Sequence, residues 1–237
     1  MANLSAAKRF YARAEARETV TGFGVGLDGR ALKTPEGREL SLPTEALART
    51  IAGEWQAQGE KILPGTMPLT ALIFTALDRT GPGRGEVRAH LLKFAETDLL
   101  CYRAQEPADL AEHQHAAWQP LLDWAAETYG ARLAVTEGVL PVDQPEESIR
   151  AFSAALDVLD NLTLTALASV TQAAGSLVVG LALTSGRIGA DEAARVAHLD
   201  ETWQAERWGE DAEAIAHRRA RSNDIEAAGR FLDLLKG

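Results

Sequence analysis

The stretch from Leu199 to Asp211, LDETWQAERWGED, gathers two tryptophans, five carboxylates and one arginine into what reads as an amphipathic helix ending at Gly209. The chemistry such residues can do is recognition. A tryptophan is costly to leave in water, and Trp and Arg are enriched at the energetic centres of binding surfaces. A second reading stands beside it: Trp203 or Trp208 caps the core while the charges face solvent, as an amphipathic helix ordinarily arranges them. The run His217-Arg218-Arg219-Ala220-Arg221 is the one basic cluster. It can face an acidic strip on a partner, but pairing with the carboxylates of Glu210–Glu213, a turn or two earlier, is the expected use.

Catalytic or metal chemistry finds no comparable arrangement. His113 and His115 lie two apart in a helical segment, so their side chains diverge, whereas a helical metal pair needs i, i+4 or i, i+3 spacing. His90, His198 and His217 are scattered. Ser176, in Gly175-Ser176-Leu177, reads as helix interior and lacks the strand–turn–helix setting of a nucleophile elbow. Cys101 is the single cysteine and sits in the apolar run LLCY, where a small buried hydrophobe is expected. A lone cysteine allows no intrachain disulfide and no cysteine-built zinc site. Asp98 is expected to pair with Arg103 and fix a turn. Gly22-x-Gly24-x-Gly26 lacks dinucleotide-binding spacing, and a strand and turn come next where a helix is required. No pair of carboxylates is singled out by spacing for acid–base work. The expectation is no catalytic residue, no cofactor and no metal.

The elements that must position these residues change character along the chain. In the first sixty or so residues, glycines frame an alternating Val/Phe run, and Leu27-Asp28-Gly29-Arg30 carries a hairpin turn pair. A second turn is signalled by Thr34-Pro35-Glu36-Gly37 between short strands at Ala31–Lys33 and Glu39–Leu42. Thr44 is placed to cap a helix running to about Gln58, with Leu47, Ile51 and Trp55 on one face. Lys61–Leu63 reads as an edge strand before Pro64. Beyond the connector at Thr66–Thr70 the period is helical: Leu69–Arg79, Glu86–Thr97, then a helix opened by Pro107 and running to Tyr129, kinked or split at Pro120. Glu146–Asp160, Leu162–Thr184, Ala190–Trp208 and Asp211–Leu235 come after it, and Leu162–Thr184, apolar nearly all round, is the expected central helix of a bundle. The fold class is α+β: a small N-terminal antiparallel β domain with one or two helices over residues 1–65, then a larger α-helical bundle domain over 66–237.

Composition narrows the partners. With 34 carboxylates against 24 Lys plus Arg, the formal net charge is −10, which argues against nucleic acid and anionic membrane surfaces. The longest apolar stretch, around Ala173–Leu183, is too short to span a bilayer, so no membrane insertion is expected. No signal peptide precedes Ser5, and the acidic residue within Ala6–Arg17, Glu15, is unlike a mitochondrial transit peptide.

The chain resembles the assembly chaperones of the F-type ATP synthase that bind its alpha subunit. The resemblance is carried by Arg9-Phe10-Tyr11, by Val25-x-Leu27-Asp28-Gly29-Arg30-x-Leu32-Lys33-Thr34-Pro35, and by Leu42-Pro43-Thr44. It continues through Glu54-Trp55-Gln56-Ala57-Gln58, Pro68-Leu69-Thr70 and Thr97-Asp98-Leu99-Leu100-Cys101-Tyr102, and closes on Leu199-Asp200-Glu201-x-x-Gln204-x-x-Arg207-Trp208-Gly209. The absence of a transit peptide is similar to bacterial members and implies a cytoplasmic protein. The resemblance implies a small β domain joined to a larger helical domain, no enzymatic activity, and a client, the unassembled alpha subunit, held until the beta subunit arrives. It also implies a functional glutamate at Glu201 and an important tryptophan at Trp55. Together with Trp208, Trp203 and Arg207 from the aromatic–acidic stretch, these are the expected partner-binding residues, with no small-molecule substrate. The alternative is a small-molecule-binding or hydrolytic enzyme using the cleft between the two domains.

Overall fold

The computed structural model describes residues 7–138 and 140–236, and the reading of the segment ahead of Ser5 lies outside them. The Asp28-Gly29 pair turns the chain as its composition demands: both residues take positive φ, 48° and 80°, which a two-residue hairpin loop of the twisted kind requires. Strands β1 (Ala14–Thr19), β2 (Gly22–Leu27) and β3 (Arg30–Ala31) thereby form an antiparallel three-stranded sheet in the order β1-β2-β3. Single bridges Lys33↔Glu39 and Phe23↔Leu42 extend it where the second turn was expected, and Lys61 forms a bridge to Lys8.

Helix α1 (Glu45–Gln56) packs on β1 and β2. Thr44 caps it, its hydroxyl accepting from the Leu47 amide at 3.2 Å. Leu47, Ile51 and Trp55, spaced by four, are all buried on one face, each such burial stabilising by about 1.5–3 kcal/mol. Glu54, on the same helix, accepts from the amides of Leu69 and Thr70 at 2.8 Å and from the Thr70 hydroxyl at 2.6 Å. It thus caps the first turn of α2 (Pro68–Thr75), which continues as a wider turn over Ala76–Thr80. The described residues fall into two compact units. This sheet and its helices belong to the first, formed by Met1–Arg84, Asn161–Ala166 and Ala227–Gly237.

The second unit, Gly85–Asp160 and Leu167–Glu226, is helical apart from a short parallel pair, β4 (Tyr102–Arg103) with β5 (Thr136–Glu137). Its elements are most of α3 (Arg84–Glu96), then α4 (Ala108–Tyr129) and α5 (Glu146–Asp157), the later turns of α6 (Asn161–Ala174), and α7 (Leu177–Thr184). Beyond them come α8 (Ala190–Ala197), α9 (Leu199–Trp208) and the first turns of α10 (Ala212–Lys236). A small N-terminal antiparallel sheet, with helices making up most of the chain beyond it, is the α+β arrangement expected. No helix among the described residues is long and apolar enough to cross a membrane.

Three expectations are corrected. Pro120 does not split its helix: α4 runs through it, because Trp118, Leu121 and Leu122 on either side are buried and anchor both turns. The span Leu162–Thr184 is two helices rather than one. Gly175, at φ 70°, leaves the helical path, and Ser176 is an N-cap, not helix interior, its Oγ accepting from the Val179 amide at 3.0 Å. Ala190–Trp208 is likewise broken at His198, whose φ of −107° and ψ of 17° end α8 and begin α9.

Asp98 also differs from expectation. Its carboxylate accepts from the Leu100 and Val178 amides, each at 3.1 Å, and is further bonded by the Ser176 hydroxyl and the Leu177 amide. It therefore joins the start of α7 to the turn at Leu99–Cys101. Arg103 instead donates to the Gln114 carbonyl at 2.6 Å. Complete burial pushes the Asp98 carboxyl up to about 6.

Candidate partner-binding surface

Helix α9 is held by its inward side. Asp200 accepts from the Gln114 amide of α4 at 2.8 Å, and its half-buried carboxyl lies above the usual range because of desolvation. Just before it, the indole of Trp118 donates to the Val196 carbonyl at 3.0 Å. With Asp200 turned to α4, its neighbour Glu201 has a side chain 46% exposed.

The two tryptophans of α9 divide the roles that the sequence left open. Trp203 is buried, 6% exposed, and Trp208 is 74% exposed. The rings meet edge to face, 5.5 Å between centroids at 75°, an arrangement the aromatic quadrupole favours. Arg207 lies over the Trp203 ring at 3.6 Å and is ion-paired with Asp109, so its guanidinium is fixed from both sides. Trp208 therefore sits on a braced platform. Gly209, at φ 79°, ends the helix, and Asp211 opens α10 by accepting from the Ala214 amide at 2.8 Å.

Between the end of α9 and the start of α10 lies an open groove of about 540 Å³, with Gln204, Ala205 and Ala214 in its lining and Glu201, Asp211 and Arg221 among its charged members. The basic cluster is used within the chain. Arg218 donates to Glu210 at 2.7 Å, and Arg221 is ion-paired with Glu201. His198 is buried behind this pair, its Nδ1 3.9 Å from Glu201. Burial, together with the charges of Arg221 and Arg218, holds its imidazole below the usual pKa, against the pull of Glu201.

Of the residues expected to bind a partner, Glu201, Trp203, Arg207 and Trp208 are brought together on α9. Trp55 lies elsewhere, in the core of the first unit, 6% exposed, its ring 5.7 Å from that of Tyr11. Its position on the apolar stripe of α1 turns it inward. The sequence reading did not find Asp200, Asp109 or Gln114 as positioning residues, since their contacts join segments about a hundred residues apart or lack any local spacing signal. Cys101 is fully buried, and burial together with the Asp98 charge pushes its thiol up to about 12, the opposite of the exposed, low-pKa setting of a reactive cysteine. Among the described residues, no group of three His, Cys, Asp or Glu side chains could hold a metal ion.

Residues 8–126 match the family described as "ATP12 chaperone protein". The crystal structure of Atp12 from Paracoccus denitrificans is similar with a TM-score of 0.90 at 42% identity, covering 97% of this chain and 98% of that one. The Atu1473 protein of Agrobacterium tumefaciens is also similar, with a TM-score of 0.90 at 40% identity over 97% of this chain and 87% of its own. The mitochondrial protein atp12 of Schizosaccharomyces pombe is 27% identical over 205 residues, 81% of this chain and 70% of that protein. The family match stops short of α9, whereas the likeness to the two solved structures takes in nearly all of the chain.

Proposed function

The chain belongs to the ATP12 chaperone family, and from that premise we propose that it is an assembly chaperone of the ATP synthase that holds the unassembled alpha subunit. It covers the apolar surface that alpha keeps for beta, and beta displaces it. A newly made subunit with such a patch uncovered associates wrongly, so a protein that shields it reversibly serves assembly without catalysing any reaction. In this reading the protein is not an enzyme, uses no cofactor, and works in the bacterial cytoplasm.

The observation that carries the assignment of the surface is Trp208, a large aromatic left mostly in water, stacked edge to face on the buried Trp203, with Glu206, Glu210 and Asp211 close to it in the sequence. Trp208 supplies contact area, Trp203 and Arg207 hold it, and Glu201 supplies orientation through a charge contact. Trp55 contributes through the stability of the first unit.

The test is co-expression with the alpha subunit of the same organism's ATP synthase, without beta, and then size-exclusion chromatography. The expected outcome is a soluble complex that dissolves when beta is added. Alpha that aggregates regardless, with no co-elution, would refute the proposal.

A further inference from the structure

Glu201 is half-exposed on the outward side of α9, yet its charge is already answered inside the chain by Arg221 of α10. That pair is partly solvated on both sides, with side chains 46% and 37% exposed, and an ion pair of that kind is weakly held and readily exchanged. Around it, negative charge is in excess. The groove is lined by Glu201, Glu210 and Asp211 against Arg221 and His217; Arg218 is matched by Glu210, and Asp211 gives an oxygen to its own helix. Gly209 lines the groove, and Trp208 and Ile215, the large exposed apolar side chains before and after it in the sequence, offer apolar surface at its edge. The ring of His198 cannot take the place of Arg221. It is buried, neither nitrogen has a hydrogen-bond partner among the described residues, and the neighbouring arginines oppose its protonation.

From this geometry we infer that the α9–α10 groove takes an apolar client segment carrying a lysine or arginine, and that this cation replaces Arg221 on Glu201. The inference rests on the reading of this surface as the client site. Charge complementarity selects the segment: the corner offers carboxylates beside an aromatic, so a basic and apolar stretch fits it and an acidic one is repelled. Exchange of one cation for another leaves Glu201 paired before and after, so binding does not require a carboxylate stripped of its partner. The internal arginine competes with the client at all times. It keeps the hold on the client weak enough to be undone, and returns to Glu201 when the client is taken away.

The experiment titrates the full-length protein into freshly refolded, dye-labelled alpha subunit and reads fluorescence anisotropy. It compares wild type with Arg221→Gln, Arg221→Lys, Glu201→Gln and the double variant Arg221→Gln/Glu201→Gln, all with melting curves checked. Removing the competitor in Arg221→Gln should tighten binding by about three- to tenfold, and Glu201→Gln should weaken it by about as much. Arg221→Lys, which keeps a competing cation on the same stem position, should tighten binding less than Arg221→Gln does, and the double variant should lose the gain. A photoreactive side chain at Gln204 should cross-link an alpha segment that carries a lysine or arginine among aliphatic residues. Binding that is unchanged or weaker in Arg221→Gln, while the wild-type complex forms, overturns the exchange and leaves the chaperone reading standing. Cross-linking to a second copy of this chain, or to a segment with no cation, overturns it as well. If well-folded wild type forms no complex with alpha at all, the proposed function falls and the exchange falls with it.

Discussion

Two carboxylates in the same helical unit, Asp98 and Glu201, stand at opposite ends of what a charged side chain can do. Asp98 is wholly buried and receives backbone amides from two elements, with the Ser176 hydroxyl added. The backbone donors there are fixed in place by secondary structure, so the carboxylate serves to join α7 to the turn at Leu99–Cys101. Glu201 is half-exposed and meets a single guanidinium on a long, flexible stem. Fixed dipoles around a buried charge produce a joint, whereas a movable counter-charge at the surface produces a contact that another molecule can take over. The difference lies in how firmly the partner is held rather than in the carboxylate itself.

That contrast fails most visibly if the joint proves dispensable. Asp98→Ala leaves the Leu100 and Val178 amides without an acceptor in the core, and unfolding in urea should show a loss of about 3 kcal/mol or more. A loss below about 1 kcal/mol would mean that water or a neighbour replaces the carboxylate. The pH dependence probes the same joint. The Asp98 carboxyl titrates at about 6 in the folded chain against 3.8 for the ordinary group. Between those values the folded chain holds a proton that the unfolded chain has released. Its contribution to stability is therefore fully present below the unfolded value and lost as pH rises through the folded one. Relative to Asp98→Asn, the wild type should lose on the order of 2 kcal/mol between about pH 4 and about pH 7, as read from denaturant midpoints.

A smaller effect is expected where α7 approaches α6. A Cβ on Gly180 would overlap Thr171 Oγ1 and stand 2.9 Å from Leu167 Cδ1, so Gly180→Ala should cost about 1–3 kcal/mol through overpacking, visible as a lowered melting temperature. The surface at α9 should respond least in stability and most in binding. Trp208→Ala removes one edge-to-face contact and should change stability by under about 1 kcal/mol. Its hold on the alpha subunit should fall at least about tenfold in a co-elution or anisotropy assay. A Trp208→Ala protein that unfolds readily would put this tryptophan with Asp98, among the residues that hold the fold.

Much of the fold was legible from local signals. The Asp28-Gly29 turn, the Thr44 cap and the four-residue spacing of Leu47, Ile51 and Trp55 each act within a few residues, and each appears in the structure where the sequence puts it. The break at Gly175-Ser176 was legible too, as a helix-ending glycine ahead of a capping serine, but the apolar run around it suggested a continuous helix. The gap at His198 carries no comparable signal; the two helices it separates pack on different partners, α8 on α7 and α9 on α4.

Local sequence dictates that Leu199–Asp211 forms an aromatic, acidic helix, and that the basic run at residues 217–221 has carboxylates within reach. Tertiary packing alone decides that Trp203 faces inward and Trp208 outward, that Asp200 turns to Gln114 while Glu201 faces solvent, and that Arg221 answers Glu201 while Arg207 is claimed by Asp109. The physical reason is range. Turns, caps and periodicity are governed by backbone preferences over a few residues. Burial and ion pairing depend on which distant segment packs alongside: Asp109 lies 98 residues before Arg207 in the chain, and no local pattern records that they meet.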